Sequence, residues 1–210
     1  GALTVVASGA TSAAATLKSG GNMDMTLGDK WTATSGNLLL DCGAALDLDG
    51  NLETATSGDV TLTVTGACTL ASAKTLTSAG AAAVTCASTT AEGAYSLQAA
   101  GAVDITGAWS ATGTGALVSV KSTGSTITLN DDITTTGGTS NVGVTCGSGA
   151  LTLGDQKTLT SGGTTTLSAA SITSVAYTVD SAGAVAVTGA WSAGGAVSMT
   201  STGSTITLND

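Results

Sequence analysis

Along most of this chain, apolar residues alternate with small or polar ones. Val103/Ile105, Val118/Val120, Ile127/Leu129, Leu151/Leu153, Val185/Val187 and Ile206/Leu208 each enclose one such residue. A period of two marks a strand with one buried face. Helices are poorly supported, because Gly, Thr and Ser interrupt every window. Ser-Gly at 57–58 and Gly-Gly at 137–138, 162–163 and 194–195 supply corners between short strands.

The strand pattern recurs at two scales. Residues 101–110 (GAVDITGAWS) return at 183–192 as GAVAVTGAWS, and STGSTITLND occurs at both 122–131 and 201–210. The long unit is therefore about 80 residues, and Gly21, Gly101 and Gly183 each open a copy. This divides a single continuous array into a partial unit 1–20, units 21–100 and 101–182, and a partial unit 183–210. Inside the units, TLGDKWTATS (26–35), TLASAKTLTS (69–78), TLNDDITTTG (128–137) and TLGDQKTLTS (152–161) follow one plan. Neighbouring copies of this finer motif start roughly 20–26 residues apart, the length of one turn of a solenoid. The pattern predicts an all-β fold, a parallel β-solenoid with about four turns per long unit and nine or ten in all. At the usual strand spacing such a rod is about 45 Å long. Both ends fall in mid-repeat with no signal peptide, so the expectation is a segment of a longer or polymerising chain.

Composition narrows the function. The chain has no Pro, Phe, His or Arg, only five basic residues against fourteen acids, and thirty glycines in 210 residues. Five lysines make no basic track for a phosphate backbone, which argues against nucleic-acid partners. No apolar run reaches the ~18 residues of a membrane-spanning helix. P-loop, GxSxG and HExxH motifs are all missing, so no enzyme and no cofactor is expected.

Four groups of residues are candidates for chemistry. Cys42, Cys68, Cys86 and Cys146 fall in phase with inward apolar neighbours, as small core residues would. Cys42 and Cys68, 26 residues apart, are spaced best for a bridge between adjacent turns. Asp47 and Asp49 in LDLDGN, and Asp131 and Asp132 in LNDD, are the candidate calcium ligands, with corner capping the plainer role. Thr32/Thr34, Thr75/Thr77, Thr134/Thr136 and Thr158/Thr160 take equivalent places in four motifs. Such rows resemble the flat face of solenoid antifreeze proteins, though Thr is also simply a good strand residue. Trp31, Trp109 and Trp191 recur with the long unit, Trp31 in a looser match, and are expected either in the core or as contacts between assembled copies.

At STITLNDDITTTGG, GALTLGDQKTLTSGGTTTL and DVTLTVTG the chain resembles the repeats of large secreted bacterial β-solenoid surface proteins, the filamentous haemagglutinin type of adhesin. The resemblance implies a right-handed parallel β-helix, secretion, and a rod-like structural or adhesive role. The resulting expectation is an extracellular or cell-surface structural protein that forms a rod or filament and partners with itself. An adhesin stalk carrying a surface or host ligand is the alternative. An ice-binding or calcium-binding module ranks below both.

Overall fold

A computed structural model describes all 210 residues and contains strands but no helix. Every strand pairs in parallel with the segment about one coil before and after it, and three such columns form the faces of a rod. Face I begins with Leu3–Ala7 on Met23 to Leu27 and ends with Tyr177–Ser181 on Val197–Ser201. Face II begins with Ala10–Ser12 on 31–33 and ends with 185–188 on Ile206–Asn209. Face III begins with Ala15–Ser19 on Leu38–Cys42 and ends with 171–174 on 190–193. The chain visits the faces in the order I, II, III and then climbs one level. It makes about ten turns of about 21 residues, a parallel β-solenoid as expected.

Alternation dictates which side chains enter. In 46–54 the even-numbered Leu46, Leu48, Gly50, Leu52 and Thr54 point inward while Asp47, Asp49, Asn51 and Glu53 point out. Forty-six buried residues, nearly all Ala, Val, Leu, Ile, Met and Cys, form one unbroken core along the axis. Burial of rows of this kind drives the stacking, at roughly 25 cal/mol per Å² of apolar surface.

The long repeat is not a whole number of turns. Between Gly21 and Gly101 the chain lays down eleven strand segments, and between Gly101 and Gly183 another eleven. Eleven segments on three faces are three and two-thirds turns, where about four were expected. The blocks opened by Gly21, Gly101 and Gly183 therefore stand on faces I, III and II in succession. Equal sequences are turned by one face each time.

Two devices hold the corners. One is glycine: Gly107 and Gly189, in the two GAWS blocks, have φ of +100° and +114°. A Cβ there would collide with the carbonyl oxygens of Cys86 and Ala169 in the coil beneath, and only Gly tolerates both conditions. The other device is a hydroxyl or thiol at the end of a strand. Ser122 Oγ donates to the Gly101 carbonyl of the coil below at 2.7 Å, with its own corner's Ser125 carbonyl at 3.1 Å as a second acceptor. Ser19, Ser78 and Ser161 repeat this arrangement, and Ser181 and Ser201 make the downward bond. The stacked corner residues run Ser19–Cys42 on face III, Ser78–Ala99–Ser122–Cys146 on face II, and Ser161–Ser181–Ser201 on face I. These columns migrate around the rod in step with the long repeat.

Two cysteines belong to those columns. Buried Cys42 Sγ lies 3.0 and 3.1 Å from the Gly21 and Ala45 carbonyls, and Cys146 Sγ lies 2.9 Å from that of Ser125. Both are free thiols standing in for serine. The disulfide joins Cys68 to Cys86 instead of Cys42 to Cys68. Cys42 stacks on Val64, so the 26-residue spacing overshoots one coil, turns a corner and lands Cys68 on another face. Cys86 lies at the irregular corner between Thr85 and Ser88, inside the core and next to Cys68.

Replacing Ser122 by Ala should cost about 1 kcal/mol, because it leaves a buried corner carbonyl without its donor. Cys146→Ser should leave stability unchanged or raised, since serine already fills the equivalent place in other coils. Chemical denaturation of the two variants checks both outcomes.

Candidate functional site

The acidic corners, the threonine rows and the aromatic column are the features that could carry chemistry. At one corner, Asp131 accepts a bond from the Lys157 ammonium at 2.8 Å and another from the Gly107 amide at 2.9 Å. The Lys157 ammonium, aided by that amide, holds the Asp131 carboxyl below the usual carboxylate range against partial desolvation. Asp132 beside it accepts the Thr158 amide at 2.7 Å. Nearly four coils below, Asp49 pairs with Lys74 at 3.1 Å, while Asn51 accepts the Thr75 amide at 2.8 Å. Lys74 and Lys157 both open the sequence KTLTS. The same clamp thus recurs once per long unit, with a Lys ammonium facing the carboxylate. Asp59, Asn37 and Asn141 likewise accept backbone amides of the next coil. Of the four candidate calcium ligands, then, Asp49, Asp131 and Asp132 serve as corner caps and ion-pair partners.

Asp47 differs from the other three. It stacks directly on Asp24, and both face outward into a trough shared with Asp49 and Glu92. Partial desolvation there, followed by the charges of Asp24, Glu92 and Asp49, lifts the Asp47 carboxyl above its ordinary range. The equivalent pair in the next unit is Asp104 on Thr128. There Asp104 is relieved by a 2.9 Å bond from the Asn130 amide.

The threonines do not form one ladder. Thr32/Thr34 and Thr75/Thr77 belong to face II, whereas Thr134/Thr136 and Thr158/Thr160 belong to face I. Between the first two pairs runs the coil of Asn51, Glu53 and buried Thr54, the last bonded to the Gly58 carbonyl. The motif repeats faithfully, but the turn of one face per unit carries it off any common plane. These four pairs therefore do not share one flat face.

The tryptophans are true structural equivalents, including Trp31. Each starts the second strand of its unit and points inward: Trp31 over Ala10, Trp109 over Thr89 and Trp191 over Ile172. Trp109 is only 1% exposed, which excludes it from contacts between copies. It packs on Tyr95 with ring centroids 5.8 Å apart and planes tilted by 50°. Trp31 and Trp191 are half-buried against the core. Their Nε1 atoms donate to Ser12 at 3.2 Å and Ser174 at 3.0 Å. The residue at the matching position beneath Trp109 is Ala91, and Trp109 Nε1 is buried without a partner. Burial likewise pushes the Tyr95 and Tyr177 hydroxyls far above the usual phenol range.

Sequence reasoning singled out Asp47, Asp49, Asp131, Asp132, the threonine pairs and the tryptophans, but missed Lys74 and Lys157 of the clamps, Asp24 and Glu92 of the acidic trough, the corner serines and the Trp–Ser pairs. The signal was there: Ser followed by Gly or by Ala-Gly or Thr-Gly closes strand after strand, as at 19–21, 78–80, 122–124, 161–163, 181–183 and 201–203. In comparison with known proteins, the chain matches no family model, no curated protein and no solved structure.

Two substitutions test this account. Ala91→Ser should give Trp109 Nε1 the partner its equivalents have and raise stability by about 1 kcal/mol. Asp47→Thr should copy the Asp104–Thr128 pair and stabilise by about 0.2–1 kcal/mol at neutral pH. Because the folded-state pKa of Asp47 is raised, its ionisation opposes folding above that pKa. The advantage of Asp47→Thr should therefore shrink as pH falls through the raised pKa toward the unfolded value, and vanish below both. Denaturation curves across pH check this.

Proposed function

We propose that the chain is an extracellular structural protein, a stiff rod segment that extends or polymerises by stacking further solenoid turns, as in a fibre, sheath or surface layer. One observation carries the reading: three uninterrupted parallel ladders enclose a single core along the whole chain, with coil-to-coil bonds as the only repeated contact. A ladder of this kind resists bending and stretching because every rung must break together, and a parallel ladder left open is a template for another strand. We also propose a non-catalytic role. In support, the acids that the fold draws together are corner caps, ion-pair partners or a mutually repelling pair. Two further features fit a location outside the cell. The buried Cys68–Cys86 bridge suits an oxidising compartment. A net charge of −9, with four of the five lysines already paired to carboxylates, leaves a net acidic surface that discourages sideways clumping. The adhesin alternative would add a ligand at some point on this rod.

Negative-stain microscopy of the 210-residue chain at rising concentration is the direct test. Unbranched filaments one solenoid wide and many times the ~46 Å length of one copy are expected. Particles that never exceed a single copy in length at any concentration would overturn the reading.

A further inference from the structure

The disulfide closes one coil on itself. Cys68 lies in the face I strand Ala67–Leu70, and Cys86 ends the same coil after its face III strand, 18 residues on. Between them the chain passes once along each face, through Ala67–Leu70, Lys74–Ser78 and 82–85. The bridge is thus a clasp around a single turn of the rod, and both cysteines are buried.

The second long unit builds the same coil without a clasp. Leu151 takes the place of Cys68 and Ala169 that of Cys86, and both are buried. The backbone confirms the correspondence. Register slips after Ser168 as it does after Thr85. The Ala87 amide donates to the Gly66 carbonyl at 2.9 Å, and the Ala170 amide to that of Gly149 at 3.1 Å. Gly107 sits against the Cys86 carbonyl and Gly189 against that of Ala169. The fold therefore needs no bridge at this place.

One other feature separates the two coils. In the first unit, Thr69 and Ala71 on the outward side of the Cys68 strand floor the trough of Asp24, Asp47, Asp49 and Glu92. The counterparts of those four acids in the second unit are Asp104, Thr128, Asn130 and Val175, three of them uncharged. There Asn130 donates to Asp104 and to Thr106. Clasp and clustered carboxylates occur together in one unit and are missing together from the other. Like charges stacked at strand spacing repel, and Lys74, the cation beside them, is taken up by Asp49.

We infer that the Cys68–Cys86 bridge is a redox lock on coil 68–86, holding shut the stretch that the trough carboxylates push apart. Closing it removes two electrons and two protons from the cysteine thiols; a small-molecule disulfide accepts them and leaves as two thiols. Before closure this coil is the part of the rod that opens at neutral pH, because Asp47 and Asp49 lie in the coil below it and Glu92 in the coil above. After closure the ring removes much of the freedom that an opened coil would gain. Both sulfurs are then shielded from reductants in solvent. Acid relieves the unlocked coil. Partial desolvation, with the facing charges of Asp24, Glu92 and Asp49, raises the Asp47 pKa. Its charge and its push are therefore lost as pH falls through that raised value.

Hydrogen exchange of the full chain reads local opening coil by coil. Cys68→Leu with Cys86→Ala copies the second unit's pair, and Asp47→Thr with Glu92→Val copies its trough. At neutral pH the first pair should speed exchange across 67–92 by roughly ten- to a hundredfold and leave 150–175 unchanged. The second pair should change little in the bridged chain and recover most of the lost protection in the unbridged one. The loss should also shrink as pH falls through the raised Asp47 value. Unchanged exchange across 67–92 without the bridge overturns the lock. So does a trough replacement whose effect is the same with and without the bridge. Should the unbridged variant lose its β signature by circular dichroism, wild-type chain refolded and kept in a dithiol supplies the same comparison with the same two overturning results.

Discussion

The structure depends on the parallel hydrogen-bond ladder that joins each coil to the one below. A residue here has no antiparallel hairpin partner, and its backbone is satisfied by whatever lies about 21 positions away. Each coil must therefore arrive at the right height with its apolar residues facing in. Coil length is free only at the corners, where extra residues loop outward. The irregular steps at 26/30, 85/88 and 168/171 absorb such differences without disturbing the strands on either side. Backbone pairing sets the architecture, and the side chains choose among a few ways of closing each turn.

Much of this was legible in the amino-acid string. The period-two pattern of Val103/Ile105 or Ile127/Leu129 reports one buried face, and the spacing of the TLGD-type motifs reports the coil. The phase between repeat and coil was not legible. GAVDITGAWS and GAVAVTGAWS look interchangeable, yet one starts on face III and the other on face II. Sequence similarity records ancestry along the chain, whereas the face is fixed by counting every strand in between, including short ones such as Ile127–Leu129.

The same difficulty decided the individual sites. Cys42 and Cys68 fall within the spacing of neighbouring motifs, but the coil is shorter than 26 residues, so the ladder pairs Cys42 with Val64 and the bridge goes to Cys86 at an irregular corner. Asp131 reads as a cation ligand until Lys157, a coil away, is seen to occupy its carboxylate. The threonine rows look like a surface until the turn of one face separates them. Each of these was a correct local reading whose outcome depended on which residue stood one level above or below.

The eleven-segment repeat also bears on how such a rod behaves as a beam. Glycine-rich corners and small-residue stretches are its softer spots, and bulky rows around Trp109 and Tyr95 its firmer ones. If each block came back on the same side, compliance would accumulate there and the shaft would bow toward it under load. Advancing by a third of the circumference with every block spreads soft and firm places evenly about the axis, much as staggered joints do in laid masonry. The shaft then has no preferred direction of flexure, and adding another block changes its span without giving it a lean.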